Sequence, residues 1–224
     1  MIKLYHSAIS PNSRRVWLAL LEKGLSFDLV EVNLAGGEQY QPDFLTMNPF
    51  HHIPVLVDGE TTLIESLAIL DYLESKYPDP SLMPKGADAI ATVRMVQMVT
   101  LNELLPAIAP LTRQALGFGQ VDPEATEKAK QQAAVSLDFF ETKLGNTPFF
   151  GGEHITLAEM VLGAIAPWFT QLGLPIEQYP NLQAWIARLM ERDAWKTTQP
   201  TPEAFEAFKV RAREMMAKRQ GQSS

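Results

Sequence analysis

Among its 224 residues the sequence contains no cysteine. This absence excludes disulfides, thiolate metal ligands and a catalytic cysteine, so any thiol in the chemistry must come from a ligand. The chain also lacks an excess of basic residues, because 19 Lys and Arg stand against 26 Asp and Glu. The resulting formal charge of −7 argues against broad nucleic-acid binding.

Long apolar runs are missing as well. No run approaches the roughly 18 residues that a membrane-spanning helix requires. The N-terminus has the pattern of a strand and not that of a signal peptide. We therefore expect a cytoplasmic protein that binds neither membrane nor nucleic acid.

The first 78 residues alternate between strand and helix patterns. Ile2–His6 alternates like a strand, and Ser10-Pro11 suits the N-cap and first turn of a helix. The remaining predicted elements are a strand over 27–32, a short helix ending near 47–48, a hairpin around Asp58-Gly59 and a helix over 65–77. This βαβ half followed by a ββα half predicts a small α/β domain that resembles thioredoxin.

Everything after a proline-rich linker is predicted to be helical. Residues 1–78 form the predicted first domain, 79–86 the linker and 87–224 an all-α domain. One long helix runs from 88 to about 116, with Pro106 and Pro110 as candidate kink positions. Further helices begin at Pro123, after Thr156, at Pro180 and near Pro202. Helical spacing places most of five apolar residues in the core and leaves open that some of them line an apolar ligand pocket: Met95, Met98, Leu101, Leu105 and Trp168.

The segment Asn48–Pro54 and the following Glu65-Ser66 form the candidate ligand site. Pro54 precedes a strand, so it marks a sheet edge or a tight turn, with a cis bond or a trans edge proline as the two alternatives. Free N–H groups at the start of the helix after Glu65 would attract an anion. Together they predict a site for a small extended molecule that carries a carboxylate.

Three features allow a structural interpretation beside a functional one. His51-His52 could suggest a metal site, but adjacent histidines should point apart and nothing completes a ligand set, so no metal is predicted. Ser10 is a good N-cap before Pro11 whatever else it does. Arg14 and Arg15 could favour a bound thiolate electrostatically, but they are expected on a solvated or ion-paired helix face.

Five motifs in order give the chain a family resemblance that covers nearly its whole length. They are Ser10–Val16, Asn48–Pro54, Leu63–Ile69, Gly152–Glu159 and Tyr179–Trp185. In these the chain resembles the cytosolic glutathione transferases, and within them the serine-type phi, theta and related bacterial classes. The resemblance implies a detoxifying homodimer that joins glutathione, its co-substrate, to a small hydrophobic electrophile held by the helical domain.

The resemblance also assigns site residues. Ser10 would hold the glutathione sulfur as a thiolate, since its hydroxyl can cap the helix and still donate to sulfur. A free thiol has a pKa of about 8.5, so a hydrogen-bond donor at a positive helix end would enrich the nucleophile. Ser13, one turn on, is the reserve donor but is expected on the helix surface. Tyr5 is a further candidate, because other classes of the family use a strand tyrosine, but it is expected to pack in the core.

The peptide part of glutathione would lie along the candidate ligand site. His52 stands where the family often has a glutamine that reaches the glycyl end, and Ile53, before Pro54, would pair its backbone with the cysteinyl unit. Ser66 would take the γ-glutamyl carboxylate while Glu65 attracts the ammonium group. Gln39 and Tyr40 stand where phi-like members often carry His and Lys, which weakens the cationic contribution there.

Two other functions remain open at this level. One is glutathione-dependent peroxide reduction or isomerisation at the same site; the lack of cysteine argues against disulfide exchange. The other is a non-enzymatic binding protein that has kept the fold, since fold does not fix function. Thr156 and Glu159 are assigned to folding, as a buried capping box.

Overall fold

The computed structural model describes residues 1–117, 119 and 122–210. Its contacts divide them into two compact units: residues 1–80 with the described residues from 197 onward, and Ser81–Lys196. Residues 197–210 thus group with the first unit, where Arg14 donates hydrogen bonds to Thr198 and Gln199. The division into domains at 78 and 87 stays a prediction.

A mixed sheet of four strands forms the centre of the first unit. The strands are β1 (Ile2–His6), β2 (Phe27–Glu31), β3 (Val55–Asp58) and β4 (Thr61–Leu63). They lie in the order β2-β1-β3-β4, with β1 parallel to β2 and antiparallel to β3. The β3–β4 turn uses Gly59 at φ +64°, a conformation that glycine adopts without a steric cost. The predicted thioredoxin-like fold is confirmed.

Three α-helices accompany the sheet: α1 (Pro11–Glu22), α2 (Pro42–Met47) and α3 (Ser66–Lys76). Two 3₁₀ turns, Leu34–Gly36 and Glu38–Tyr40, precede α2. Residues 202–210 are also helical, and the rest of the predicted last helix lies outside the described residues. The helix α1 buries an apolar face completely, through Val16, Leu18 and Leu20.

The second unit is helical, as predicted. Its helices are α4 (Ala87–Val99), α5 (Leu105–Ala115), α6 (Pro123–Leu144), α7 (Leu157–Leu162) and α8 (Pro180–Met190), and α9 (Asp193–Thr198) follows them. The predicted long helix over 88–116 contains a π-helical turn at Thr100–Leu104, just before Pro106. Proline has no N–H to continue an α-helical ladder, and π turns are a usual accommodation. The short helix α9 was not predicted.

The capping box at α7 is confirmed. Thr156 is its N-cap, and the fully buried Glu159 accepts the Thr156 N–H at 2.8 Å and its hydroxyl at 2.6 Å. Of the five residues assigned mostly to the core, Met95 and Met98 lie outside it, since they are 37% and 41% exposed, whereas Trp168 is buried. Within the described part of the chain, no helix is long and apolar enough to cross a membrane.

Candidate functional site

Ser10 caps α1, as the sequence predicts. The chain turns after β1, where the Ser10 N–H donates to the Ser7 carbonyl at 3.0 Å. Ser10 has an extended backbone, and its Oγ accepts the Ser13 N–H at 3.3 Å. A hydroxyl that accepts the capping bond keeps its own proton to donate. The half-buried Ser10 therefore presents a donor at the positive end of a twelve-residue helix.

The polar residues after Ser10 are more buried than the sequence suggests. Ser13 is fully buried, and no described residue hydrogen-bonds to its Oγ, so its expected surface position is wrong. Arg14 and Arg15 are also buried, at 2% and 1% exposure, where a solvated or ion-paired face was expected. Burial lowers the pKa of each guanidinium to about 10. Both remain protonated at neutral pH.

Tyr5 packs in the core as expected. It lies against the buried cluster formed by Val32, Phe44, Ile53 and Val55. Its position on β1 is thus explained by packing. Nothing in the geometry requires it as a thiol activator.

The segment Asn48–Pro54 is shaped by the side chain of Asn48. This buried amide donates to the His52 carbonyl at 2.8 Å and accepts the Phe50 N–H at 3.0 Å. The Ile53–Pro54 peptide bond is cis, which decides between the two alternatives that the sequence leaves open. Ile53 and Pro54 are buried, and no described residue hydrogen-bonds to the Ile53 backbone. Its N–H and C=O are available to an extended ligand.

The two histidine rings do not diverge. His51 has φ +49°, and its ring meets that of His52 edge-on with centroids 5.2 Å apart. The Tyr40 ring lies 4.9 Å from the His51 ring. These rings form an exposed aromatic surface beside Ile53. Among the described residues, no group of three or more His, Cys, Asp or Glu could hold a metal ion.

At the start of α3, Glu65 is exposed and Ser66 is buried. Glu65 has φ +66° and makes no side-chain capping bond. The Ser66 Oγ instead accepts a hydrogen bond from Arg15 Nη1 at 3.2 Å. This contact joins α1 to the start of α3, and no local pattern in the sequence indicates it.

Gln39 lies in the 3₁₀ turn before α2, and it is mostly buried. Its Nε2 donates to the Leu34 carbonyl at 3.3 Å, and no described residue hydrogen-bonds to its Oε1. This bond uses one amide hydrogen and joins the turn to the preceding 3₁₀ turn, Leu34–Gly36. A contact between Gln39 and a ligand stays a prediction.

A cavity of about 430 Å³ opens in the first unit next to the Ser10 turn. Its walls are the turn Ser7–Ile9, the chain leaving β2 and the helix 202–210. The lining residues are Ser7, Ala8, Ile9, Glu31, Val32, Asn33, Leu34, Ala35, Ala204, Ala207 and Phe208. Ligands of open α/β sheets commonly bind at the carboxyl ends of strands, and this cavity lies where the parallel strands β1 and β2 end. The sequence did not indicate the part that helix 202–210 plays.

A thioredoxin-like sheet with a serine-capped helix, together with a helical unit, defines a class of protein that combines these two kinds of unit. The family model for the glutathione S-transferase N-terminal domain matches residues 4–81, and that for the C-terminal domain matches residues 93–193. The chain belongs to the glutathione S-transferase family.

Individual relatives agree. Glutathione S-transferase 3 of Zea mays is 37% identical over 208 residues, which is 88% of this chain and 92% of that protein. The solved structure of glutathione transferase F7 from Populus trichocarpa is 29% identical, with a TM-score of 0.79, and the match covers 92% of this chain and 99% of that one. A Sulfitobacter glutathione transferase homologue, solved with bound glutathione, is 25% identical with a TM-score of 0.75 over 89% of this chain and 97% of that one.

Proposed function

We propose that this protein conjugates glutathione, through its thiol sulfur, to small hydrophobic electrophiles. The observation that carries the proposal is the capping geometry of Ser10, whose oxygen accepts the Ser13 N–H. The Ser10 hydroxyl then donates a hydrogen bond to the glutathione sulfur. A donor at a helix N-terminus favours the thiolate over the thiol, so the nucleophile is present at neutral pH.

The rest of the peptide binds along the edge of the first unit. Backbone groups of Ile53, ahead of the cis Pro54, pair with the cysteinyl unit as an added strand would. His52 serves the glycyl end, with Gln39 as a second contact. Ser66 and the first turn of α3 bind the γ-glutamyl carboxylate, while the exposed Glu65 attracts the ammonium group.

The electrophile binds in the cavity beside the Ser10 turn, to which the predicted domain 87–224 contributes Ala204, Ala207 and Phe208. Its lining combines apolar side chains, among them Ile9, Leu34 and the aromatic ring of Phe208, with the polar residues Ser7, Glu31 and Asn33. A volume of about 430 Å³ lies in the range of ligand pockets for small molecules. This favours compact hydrophobic or aromatic electrophiles.

The protein acts as a cytoplasmic homodimer in detoxification. Support for a dimer comes from the second unit, where a groove of about 500 Å³ runs between the α4–α5 segment and α6. Its apolar residues include Val99, Pro106 and Phe139, together with Val135, which is 70% exposed. Large exposed apolar patches usually mark interaction sites.

The test is a conjugation assay with a panel of aryl halides and isothiocyanates. We expect glutathione-dependent turnover of several members and a large loss in Ser10→Ala. Binding of glutathione without turnover of any electrophile would replace this proposal with a non-enzymatic binding role.

A further inference from the structure

Arg15 carries a buried positive charge that the described residues only partly pair. The residue is 1% exposed. Its Nη1 donates to Ser66 Oγ at 3.2 Å, while Nε and Nη2 are buried and no described residue accepts a hydrogen bond from them. Burial alone lowers the pKa of Arg15, to about 10, and no carboxylate opposes this effect.

The neighbouring Arg14 shows that such incomplete hydrogen bonding is not general among the buried arginines of α1. Arg14 is equally buried, but its Nε donates to Thr198 Oγ1 at 3.0 Å and its Nη2 donates to Gln199 Oε1 at 2.9 Å. The side chain of Arg14 therefore binds Thr198 and Gln199 to α1. A buried charge is costly unless it is paired and hydrogen-bonded, so the incomplete pairing of Arg15 calls for a separate explanation.

The hydrogen bond to Ser66 shows where the positive charge of Arg15 acts. It is the first residue of the eleven-residue helix α3. Because Ser66 Oγ accepts from Arg15, its own hydroxyl proton is left to donate to a further acceptor. The Glu65 side chain does not cap the helix, so the amide groups of the first turn keep the positive end of the helix open to an anion. A cation, a hydroxyl donor and a helix N-terminus meet here.

We propose that Arg15 is a positioning residue for the α-carboxylate of the γ-glutamyl unit. It fixes the Ser66 hydroxyl so that its proton points to the carboxylate, and it supplies the buried positive charge that this carboxylate neutralises. This role rests on the proposed glutathione function. It makes the site selective for thiols that carry a free carboxylate at this end over thiols that lack one.

The experiment compares two ligands by isothermal titration calorimetry. One is glutathione; the other is 4-aminobutanoyl-cysteinylglycine, which replaces the α-carboxylate by hydrogen. We expect Arg15→Met to weaken glutathione binding roughly ten- to a hundredfold, the range for lost hydrogen bonds to a charged group. Binding of the decarboxy ligand should stay within about twofold of wild type, because no carboxylate interaction is left to lose.

Two further variants separate positioning from packing. Arg15→Lys keeps the charge but loses the planar fork, so it should recover part of the selectivity that Arg15→Met loses. Ser66→Ala should lose selectivity, and combining it with Arg15→Met should cost less than the sum of the two single changes, because the residues act on one carboxylate. Thermal unfolding checks that each variant is folded.

Equal weakening of both ligands in Arg15→Met, or no weakening of glutathione, would overturn the role of Arg15. If Arg15→Met does not fold, failure of Arg15→Lys to discriminate better than Ser66→Ala overturns it instead. A wild-type protein that binds neither ligand would refute the proposed function itself. That result is visible before any variant is measured.

Discussion

The side-chain oxygen of Ser10 lies 3.3 Å from the backbone nitrogen of Ser13 and accepts its N–H. One hydroxyl thus serves two roles, since it caps α1 and keeps a proton for the glutathione sulfur. Any substitution of Ser10 changes both roles unless it is chosen to separate them. Ser10→Ala and Ser10→Asp together separate the two roles.

Ser10→Ala should lower kcat/KM about 100-fold, as loss of one preorganised donor to a developing anion does in other enzymes. It should also cost about 1 kcal/mol of unfolding free energy through the lost cap. Ser10→Asp restores the cap but repels the thiolate, so it should be as inactive as Ser10→Ala and nearly as stable as wild type. Conjugation kinetics and urea unfolding measure the two effects.

The pH profile provides the control on mechanism. Without the Ser10 donor, the rising limb of kcat/KM in Ser10→Ala should move towards the ordinary thiol pKa of about 8.5. The exposed Ser75 on α3 offers a matched control, and Ser75→Ala should change neither activity nor profile. Full activity in Ser10→Asp would assign thiol activation to another group.

Much of this site could be anticipated because its signals are local. The alternation in β1, the Ser10-Pro11 helix start and the Asp58-Gly59 turn each need only a few adjacent residues. The burial of Arg14 could not be anticipated, because its partners lie about 184 residues further along the chain. Arg15 likewise meets Ser66 only after α1 packs on α3. Long-range contacts of this kind leave no periodic pattern in the sequence.

Glu159 should be essential for folding and not for chemistry. Its carboxylate accepts hydrogen bonds from Thr156, from the Phe150 N–H at 2.8 Å and from Trp185 Nε1 at 3.3 Å. Glu159→Ala leaves these buried donors without an acceptor, and each such group costs about 1–3 kcal/mol. We expect a total loss of about 3–5 kcal/mol in urea unfolding.

Glu159→Gln tests the same interpretation more gently. Its remaining carbonyl oxygen can accept part of the set, so its loss of stability should be smaller than that of Glu159→Ala. The KM for glutathione of whichever variant folds should equal that of wild type. A stable Glu159→Ala protein with an altered KM would contradict the structural role.

Val135 should lie in the dimer interface. It is 70% exposed on α6 and borders the apolar groove that Val99, Pro106 and Phe139 line. A charge buried there on association would be unpaired, so Val135→Glu should weaken dimerisation at least about tenfold. Sedimentation velocity over a range of concentrations measures this.

The control for Val135→Glu is Ala125→Glu, which adds the same charge at an exposed position in the first turn of the same helix. It should leave the sedimentation profile unchanged. A dimer that is equally stable in both variants would place the interface elsewhere, and a monomeric wild-type protein would refute the dimer.

Asp58 should make the free energy of unfolding depend on pH in the acid range. Its Oδ2 accepts hydrogen bonds from Tyr72 at 3.0 Å, Lys76 at 2.7 Å and Tyr77 at 2.6 Å, and the Lys76 bond is the main cause that lowers the pKa of Asp58. A carboxyl whose folded pKa is lowered contributes stability above its unfolded pKa of about 3.9 and loses it as the pH falls through the folded value.

Asp58→Asn should therefore cost about 1–3 kcal/mol at pH 7, and the deficit should shrink as the pH falls below about 4. Urea unfolding from pH 7 to pH 3 measures both, with Asp28→Asn on the exposed side of β2 as the control for the charge change. A deficit that is constant with pH would show that the hydrogen bonds of Asp58 do not depend on its charge.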